Sequence, residues 1–496
     1  MTLAIWTGIF VGAFVLGMIA LGFVASKKTE DNDDWATARK SYGPITVGLT
    51  MVATYASGAL FIGGSGMGYS VGYPIMWYSL AFPLGSFCGV LLFGRFTQSM
   101  HKQGLRTFGE YFGARYQSDF MRIAMAIVSI CLFFYISSQV ISAGTILELL
   151  MGIPYKVAIW VSTVLILIYI TGGGAHSDFL TDTAQAIAMI VLSIICIIIC
   201  VTTPGVEGGM TAVNDILVSI NPEMGWNSLF NSQVKQFSNA FFAGMILFMT
   251  IPFAIQPQLA LKLVALKNPR DSKKAIMFGL IVAFLFQIAS SLTGITAHAI
   301  IPEGLQRADM ALVTVLVKVF EKTPLVAALL CSFIIAAVMS TVDGLFLSMG
   351  QIVSNDIYRL TIAPQRGHTP EQIEKTTLKI SRVSTILIAV IATLLATNPP
   401  ASILQYLSLG GSCIFCCAAG PMIFGALWKG TTKMGAILAF CITVPIYWFF
   451  GLVLKWPSMS TPGLVFIINM SLTFIISKVT PQTFTPEHLR KFGFKV

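Results

Sequence analysis

Residues 51–68 read MVATYASGALFIGGSGMG and lie inside an apolar run, from residue 43 to about 73, that is long enough to span a bilayer. Glycines weaken a helix in this run, and hydroxyl side chains lie among them at Thr54, Tyr55, Ser57 and Ser65. In lipid, unpaired backbone groups are costly, so a broken helix is tolerated only where protein or a water-filled cavity surrounds it. The stretch therefore predicts either a membrane helix broken at mid-depth or a continuous helix whose glycines allow close packing.

The composition of the whole chain is that of a polytopic membrane protein. Its 496 residues are 55% hydrophobic and 10% charged, with a mean hydropathy of +0.80, which no soluble globular protein approaches. The nine cysteines all fall in apolar segments, which argues against a disulfide framework. These segments hold no nucleophile–base pair and no metal-binding cluster, so we expect neither an enzyme nor a cofactor.

Apolar runs of spanning length recur along the chain and predict about thirteen transmembrane helices. They lie near residues 3–25, 43–73, 74–97, 121–152, 155–173, 180–202, 237–260, 275–301, 324–354, 380–397, 401–427, 433–454 and 460–478. The first run is longer than the hydrophobic part of a signal peptide and lacks a cleavage site, so we expect it to remain as a helix.

The loops between these runs predict the orientation of the chain in the bilayer. If the N-terminus lies outside, one set of alternate loops holds 25 of the 31 lysine and arginine residues. The other set holds six, Lys156, Lys235, Arg307, Lys318, Lys322 and Lys455. Because cytoplasmic loops carry such an excess, we expect a cytoplasmic C-terminus in a plasma membrane, here the bacterial inner membrane. The net charge of +10 then reflects membrane topology, and no nucleic-acid partner is expected.

Acidic side chains inside membrane spans are costly and are therefore candidates for function. Asp182 lies in FLTDTAQA near the cytoplasmic end of its span, and Asp343 follows Ser340 and Thr341 in AAVMSTVDG. The two hydroxyls could bond back to a carbonyl one turn earlier, as is common for serine and threonine in membrane helices. Alternatively, they are hard oxygen ligands that complete a sodium site with carbonyls of the broken stretch 51–68.

A second helix break is predicted at PFAIQPQ, residues 252–258, because its two prolines remove backbone donors. It opens a second set of five spans, as the stretch 51–68 opens the first. Two interrupted spans at matching places in two halves are typical of transporters built from inverted repeats. The N-terminus of a broken helix also presents N–H groups and a positive dipole end, which favours a carboxylate-bearing solute.

At these residues the chain resembles the sodium:solute symporter family, which includes carriers of proline, pantothenate, galactose and sialic acid. The matching motifs span nearly the whole chain and are ATYASGALFIGGSGMGY (53–69), GARYQS (113–118), MGIPY (151–155), FLTDTAQ (179–185), AIQPQ (254–258), AAVMSTVDG (336–344) and AAGPMIFGALW (418–428). The first three are most similar to the sodium/pantothenate symporter branch.

The resemblance implies an all-α polytopic membrane protein with a LeuT-like core, in which two sets of five helices form an inverted repeat. One helix precedes this core and two follow it, in agreement with about thirteen spans. The implied segments are an N-terminal helix and loop, the first repeat, an external loop, the second repeat, and two C-terminal helices with a cytoplasmic tail. Their boundaries are 1–42, 43–202, 203–236, 237–427 and 428–496.

The resemblance also implies one sodium site, between the first and eighth core helices. Its ligands would be the carbonyls of Ala53, Ala56 and Ala337 and the hydroxyls of Ser340 and Thr341. Asp182 matches the family's aspartate on the inner sodium path. Proline carriers have aromatic residues at positions matching Tyr135, Met249 and Phe253 and an aspartate matching Tyr55, so this chain departs from them at Met249 and Tyr55. The predicted solute pocket comprises Ser57, Gly58, Tyr135, Phe253 and Gln256.

These features predict a secondary active symporter that couples inward sodium flux to uptake of a small organic solute by alternating access. Pantothenate, or another small carboxylate or amino-acid-like solute, is the expected substrate. Two alternatives stay open at this point: a proton-driven transporter of the same fold that uses Asp182 or Asp343, and a transporter-shaped sensor or channel. The expected partners are the solute, Na⁺ as coupling ion and the lipid bilayer, with no obligate protein partner.

Overall fold

A computed structural model describes residues 2–27, 37–91, 94–202, 208–220, 226–399, 403–411 and 415–495. These ranges are helical apart from turns and one isolated bridge between Tyr42 and Leu266. The predicted external loop 203–236 lies partly outside the described residues, as do parts of the loop after the first helix. The expectation of an all-helical membrane protein is confirmed.

The α-helices, numbered here in chain order, are α1 Leu3–Ser26, α2 Pro44–Tyr55, α3 Gly58–Val71, α4 Met76–Leu91, α5 Gly94–Gln103, α6 Phe108–Tyr116, α7 Asp119–Val128, α8 Leu132–Met151, α9 Tyr155–Thr202, α10 Gly209–Ile220, α11 Ala240–Thr250, α12 Pro257–Ala260, α13 Ser272–Ile300, α14 Ala311–Val319, α15 Pro324–Gln351, α16 Pro370–Ala396, α17 Ile403–Gly411, α18 Phe415–Leu427, α19 Lys433–Trp448, α20 Thr461–Val479 and α21 Pro486–Lys491. Two π-helices continue α15 and α19, at Ile352–Ile362 and Phe449–Val453. Short 3₁₀ turns lie at Tyr73–Ile75, Ser129–Cys131, Lys235–Phe237, Ile251–Ile255, Leu261–Ala265, Pro269–Asp271, Ala308–Met310 and Ala363–Arg366.

Ten helical segments of the described chain are long and apolar enough to cross a membrane, and the bent pair of α2 and α3 makes an eleventh. The long helix α9 is kinked at Gly174, whose φ of 57° suits glycine, and the kink divides it into two parts. The segment Tyr155–Ile168, in the first of these parts, and the segment Ala240–Ala254 are shorter apolar helices at the two remaining predicted spans.

The stretch of residues 51–68 is broken between Tyr55 and Gly58. Ala56 has φ −74° and ψ 60°, and the Ser57 N–H donates to the Tyr55 carbonyl at 2.7 Å, which together make an inverse γ-turn. Ser57 then caps α3 because its Oγ accepts from the Leu60 N–H at 3.0 Å. The axes of α2 and α3 differ by 54°, which confirms the predicted break.

The glycines of α3 also serve close packing, although the stretch is not one continuous helix. A Cβ added at Gly64 would lie 2.6 Å from Ser290 Oγ, and one at Gly68 would lie 2.6 Å from the Ser291 carbonyl oxygen. Both partners belong to α13, the helix against which α3 packs. The glycines thus permit α3 to approach α13 at backbone distance.

The second predicted break, at residues 252–258, is also present. Helix α11 ends at Thr250 and gives way to the 3₁₀ turn Ile251–Ile255, after which Gln256 is extended, with φ −64° and ψ 130°. Pro257 then starts the short helix α12. A proline can start a helix but cannot donate within one, which explains why the span is interrupted here. The residue boundaries of the two halves stay a prediction.

Candidate functional site

The adjacent hydroxyls of Ser340 and Thr341 lie where α15 crosses the end of α2. Ser340 Oγ donates to the Ala53 carbonyl at 2.8 Å, and Thr341 Oγ1 donates to the Thr54 carbonyl at 3.1 Å. Both hydroxyls also reach the Ala337 carbonyl one turn earlier, at 3.0 and 3.4 Å. Both side chains are fully buried. Each hydroxyl therefore reaches one carbonyl of its own helix and one of the broken helix, while sodium ligation by the pair stays a prediction.

This arrangement suits a sodium ion chemically, because three carbonyl oxygens and two hydroxyl oxygens are hard, neutral ligands. A hydroxyl that donates to a carbonyl can turn its proton away and offer a lone pair to a cation instead. Of the five predicted ligands, the structure brings together Ala53, Ala337, Ser340 and Thr341. Thr341 contacts the carbonyl of Thr54, which the sequence reading missed, and Ala56 stays a predicted ligand without a contact to either hydroxyl.

We call these three carbonyl and two hydroxyl oxygens the oxygen cluster. Asp182 lies next to it but is held in an ion pair that the sequence did not reveal. Its carboxylate accepts a hydrogen bond from Thr54 Oγ1 at 3.1 Å and contacts the Lys262 ammonium directly. Lys262 also pairs with Asp178, at 2.7 Å between Nζ and Oδ2. We call these three residues, Asp178, Asp182 and Lys262, the ion triad.

The placement of Lys262 corrects the sequence reading, which counted it among the cytoplasmic loop cations. Its side chain is only 4% exposed. A buried ammonium is costly unless paired, and the two carboxylates offset that cost. Asp178 could have been found from the sequence, because it precedes Asp182 by four residues and so lies on the same face of one helix.

Thr54 connects the oxygen cluster to the ion triad, since its carbonyl accepts from Thr341 and its hydroxyl donates to Asp182. A cavity adjoins the triad, and its lining includes Asp178, Gln258, Lys262, Ser348 and Gln351. Polar atoms therefore continue from the Ser340 and Thr341 hydroxyls, past Asp182 and Asp178, to this cavity. Such a path suits the passage of a small cation.

Several buried aromatic rings lie near the break between α2 and α3. We call Tyr55, Tyr78, Phe82, Tyr135 and Phe253 the aromatic cluster. Ring centroids are 5.3 Å apart for Tyr55 and Phe82, 4.9 Å for Tyr78 and Phe82, and 4.4 Å for Phe82 and Phe253. Tyr78 and Phe82 come from α4 and were missed, because a ring in an apolar span gives no sequence signal of its own. The cluster places large apolar surfaces with phenol groups around the broken helix.

The predicted solute residues Tyr135, Phe253 and Gln256 converge on the end of α17. The Tyr135 and Phe253 centroids are 6.3 Å apart, and Gln256 Nε2 donates to the Gly411 carbonyl at 2.6 Å. A Cβ at Gly411 would lie 2.6 Å from Phe253 Cζ. A glycine here allows the tenth predicted core span to approach these side chains.

Ser57 and Gly58 adjoin this group, but each has a protein partner. The Ser57 hydroxyl caps α3 by accepting from the Leu60 N–H. A Cβ at Gly58 would overlap the Val338 side chain of α15. We expected Gly58 to leave room for a solute. In this structure Val338 fills that space, so the glycine serves the contact between α3 and α15.

Known proteins are similar to this chain over most of its length. The family model of the sodium:solute symporter family matches residues 35–443. The osmoregulated proline transporter OpuE of Bacillus subtilis is 26% identical over 488 residues, which cover 96% of this chain and 95% of the relative. The sodium/pantothenate symporter of Escherichia coli is 25% identical over 457 residues, 88% of each chain. Proline and pantothenate transporters are thus similar to this chain at nearly equal identity, and the identities do not separate the two branches.

Two solved structures share the fold. A Na⁺-coupled sialic acid symporter in a substrate-bound outward-open state has a TM-score of 0.76 at 15% identity and covers 97% of this chain and 99% of its own. The nucleobase-cation-symport-1 transporter Mhp1 in a closed conformation has a TM-score of 0.56 at 16% identity, with coverage of 92% and 97%. The family match extends over most of the chain. The protein therefore belongs to the sodium:solute symporter family, whose members are transporters and not enzymes.

Proposed function

We propose that this protein is a sodium-coupled symporter that imports a small carboxylate-bearing solute by alternating access. The observation that carries the proposal is the meeting of the Ser340 and Thr341 hydroxyls with the carbonyls of Ala53 and Thr54 at the broken helix. These oxygens belong to two different helices. A sodium ion bound between them would tie α2 to α15, and its departure would free the two helices to separate.

The carboxylate class rests on two observations. Relatives named for proline and for pantothenate transport both act on carboxylates. In the aromatic cluster, the Tyr55 hydroxyl is buried and has no hydrogen-bond partner. A phenol O–H can donate to a carboxylate oxygen, and a buried donor without a partner is costly, so a solute acceptor there would be stabilising.

The free helix N-terminus expected from the sequence contributes less to this proposal. At the start of α3, the Ala59 N–H donates to Gln139 Oε1 at 3.2 Å and the Leu60 N–H donates to Ser57 Oγ. These donors already have acceptors in the protein. We therefore assign the solute carboxylate to hydroxyl donors such as Tyr55, with Tyr135, Phe253 and Gln256 forming the opposite wall.

We further propose that the protein lies in a plasma membrane with its N-terminus outside and its C-terminus in the cytoplasm. This proposal is based on the distribution of lysine and arginine among the loops. In this orientation the cavity beside the ion triad opens at the cytoplasmic side, because Gln351 ends α15 shortly before the basic segment around Arg359 and Arg366. Accessibility of single introduced cysteines to a membrane-impermeant thiol reagent in right-side-out and inside-out vesicles measures this orientation.

Solute uptake into proteoliposomes tests the proposed function. Sodium and proton gradients are imposed separately, with labelled proline and pantothenate as the first solutes. We expect an inward sodium gradient to drive accumulation of a carboxylate, and a proton gradient alone to drive none. Accumulation with the proton gradient and no sodium would instead support the proton-coupled alternative. Sodium-independent binding without transport would support a sensor.

Asp182→Asn is expected to slow turnover more than it weakens sodium binding from outside. A carboxylate beyond the sodium ligands attracts the departing cation in a narrow, poorly screened path. Sodium-dependent initial rates and maximal rates of uptake separate the two effects. Asp215→Asn, at an exposed position of α10, is the matched control and should behave as the wild type. If Asp182→Asn reduced only the amount of protein in the membrane, with normal turnover per molecule, the carboxylate would be purely structural.

A further inference from the structure

Lys262 lies across the polar path that leads from the sodium ligands to the cavity. Its ammonium contacts both carboxylates of the ion triad, and its side chain lines the cavity. Asp182 is reached from the sodium ligands through Thr54, whose hydroxyl bonds the same carboxylate oxygen that contacts Lys262. A cation that leaves the Ser340 and Thr341 hydroxyls by this route therefore meets a resident positive charge.

The ion triad holds two carboxyl groups and one ammonium. Both carboxyl groups contact the ammonium, so one carboxyl group in this buried site has no cation of its own. The Asp178, Asp182 and Lys262 side chains are 6%, 0% and 4% exposed. A buried carboxyl group without a cation of its own either takes up a proton or attracts a further cation.

The described part of the site also contains oxygen atoms that are free to bind one. Asp178 Oδ1, Asp182 Oδ1 and Gln258 Oε1 are buried and have no hydrogen-bond partner. Gln258 lines the cavity together with Asp178 and Lys262. Carboxylate and amide oxygens are suitable ligands for sodium, for the same reason that they suit other hard cations.

We propose that the Lys262 ammonium is a tethered cation that competes with sodium for Asp178 and Asp182 and so prevents sodium from being trapped on its way to the cavity. This role rests on the proposed sodium coupling and adds a positioning residue to it. While sodium is at the Ser340 and Thr341 hydroxyls, Lys262 holds the carboxylates. As sodium moves past Thr54, the ammonium repels it and keeps its stay at Asp182 short.

Neutralising the lysine tests this role. In purified Lys262→Met, we expect equilibrium binding of radioactive sodium to be at least about tenfold tighter than in the wild type, because a like charge in direct contact with the carboxylates is removed. The maximal rate of sodium-driven uptake in proteoliposomes should fall, because release becomes slow. Lys262→Arg, which keeps the charge, should retain a sodium affinity near that of the wild type. If Lys262 had only a structural role, its replacement would not make sodium binding tighter.

The outcomes separate this role from the proposed function. Unchanged or weaker sodium binding by Lys262→Met, with a wild type that binds sodium, overturns the role of Lys262 alone. A wild type that binds no sodium overturns the proposed coupling and with it the competition. If Lys262→Met does not fold in choline, it is purified in sodium, since sodium should then replace the missing ammonium. Failure to fold in either salt contradicts the competition, because no cation would then occupy the vacated position.

Discussion

Alanine at both Ser340 and Thr341 is expected to raise the sodium concentration for half-maximal uptake by at least about tenfold, and to leave the protein inserted in the membrane. The structure brings both hydroxyls against carbonyls of the broken helix, at 2.8 Å from Ala53 and 3.1 Å from Thr54. Loss of each buried polar interaction is worth about 1–3 kcal/mol, which is roughly five- to 150-fold in affinity. Initial uptake rates measured over a series of sodium concentrations give the shift directly.

A serine on the same helix supplies the matched control. Ser332 is buried in α15, and its hydroxyl donates only to the Ala328 carbonyl one turn earlier, at 2.8 Å. Ser332→Ala removes a similar hydroxyl without touching α2, so its sodium dependence should equal that of the wild type. If the double alanine variant kept a normal sodium dependence at normal solute affinity, the oxygen cluster would not be the sodium site.

Gly58→Ala is expected to reduce uptake strongly, and Gly58→Leu to abolish it, at normal expression. The added Cβ would overlap Val338, which is fully buried in α15. Overpacking of this kind costs about 1–3 kcal/mol and shifts the backbone. Here the shift would separate α3 from α15 beside the proposed sodium ligands, so the sodium dependence should weaken together with the rate. Uptake in proteoliposomes, normalised to the amount of reconstituted protein, measures both.

A second substitution distinguishes this packing role from a direct contact with the solute. Val338→Ala removes the methyl groups that the new Cβ would overlap, although Val338 Cβ itself would still be only 3.1 Å away. The double variant Gly58→Ala with Val338→Ala should therefore recover part of the uptake lost in Gly58→Ala. If Val338→Ala brought no recovery and Gly58→Ala weakened solute affinity alone, Gly58 would face the solute, as the sequence reading expected.

Features that depend on composition and on local backbone chemistry could be predicted from the sequence alone. Hydropathy placed the chain in a membrane, because apolar runs of spanning length have no other stable environment. Prolines predicted the break at residues 251–257, since a proline acts on the backbone at its own position. The glycine-rich stretch indicated the first break, which lies at Ala56, just before glycines that stay helical in α3. The adjacent hydroxyls of Ser340 and Thr341 could be singled out because their motif is local.

Which groups face one another across helices could be seen only in the folded bundle. Whether Thr341 meets the carbonyl of Thr54 or of Ala56 depends on how α2 is rotated against α15, which no local pattern records. Lys262 follows the second break, and in the sequence it looks like a loop cation. Its carboxylate partners are 80 and 84 residues earlier in the chain, so only folding places its ammonium in a buried ion triad. Charges on distant segments pair when burial makes isolation costly, and that condition exists only in the assembled bundle.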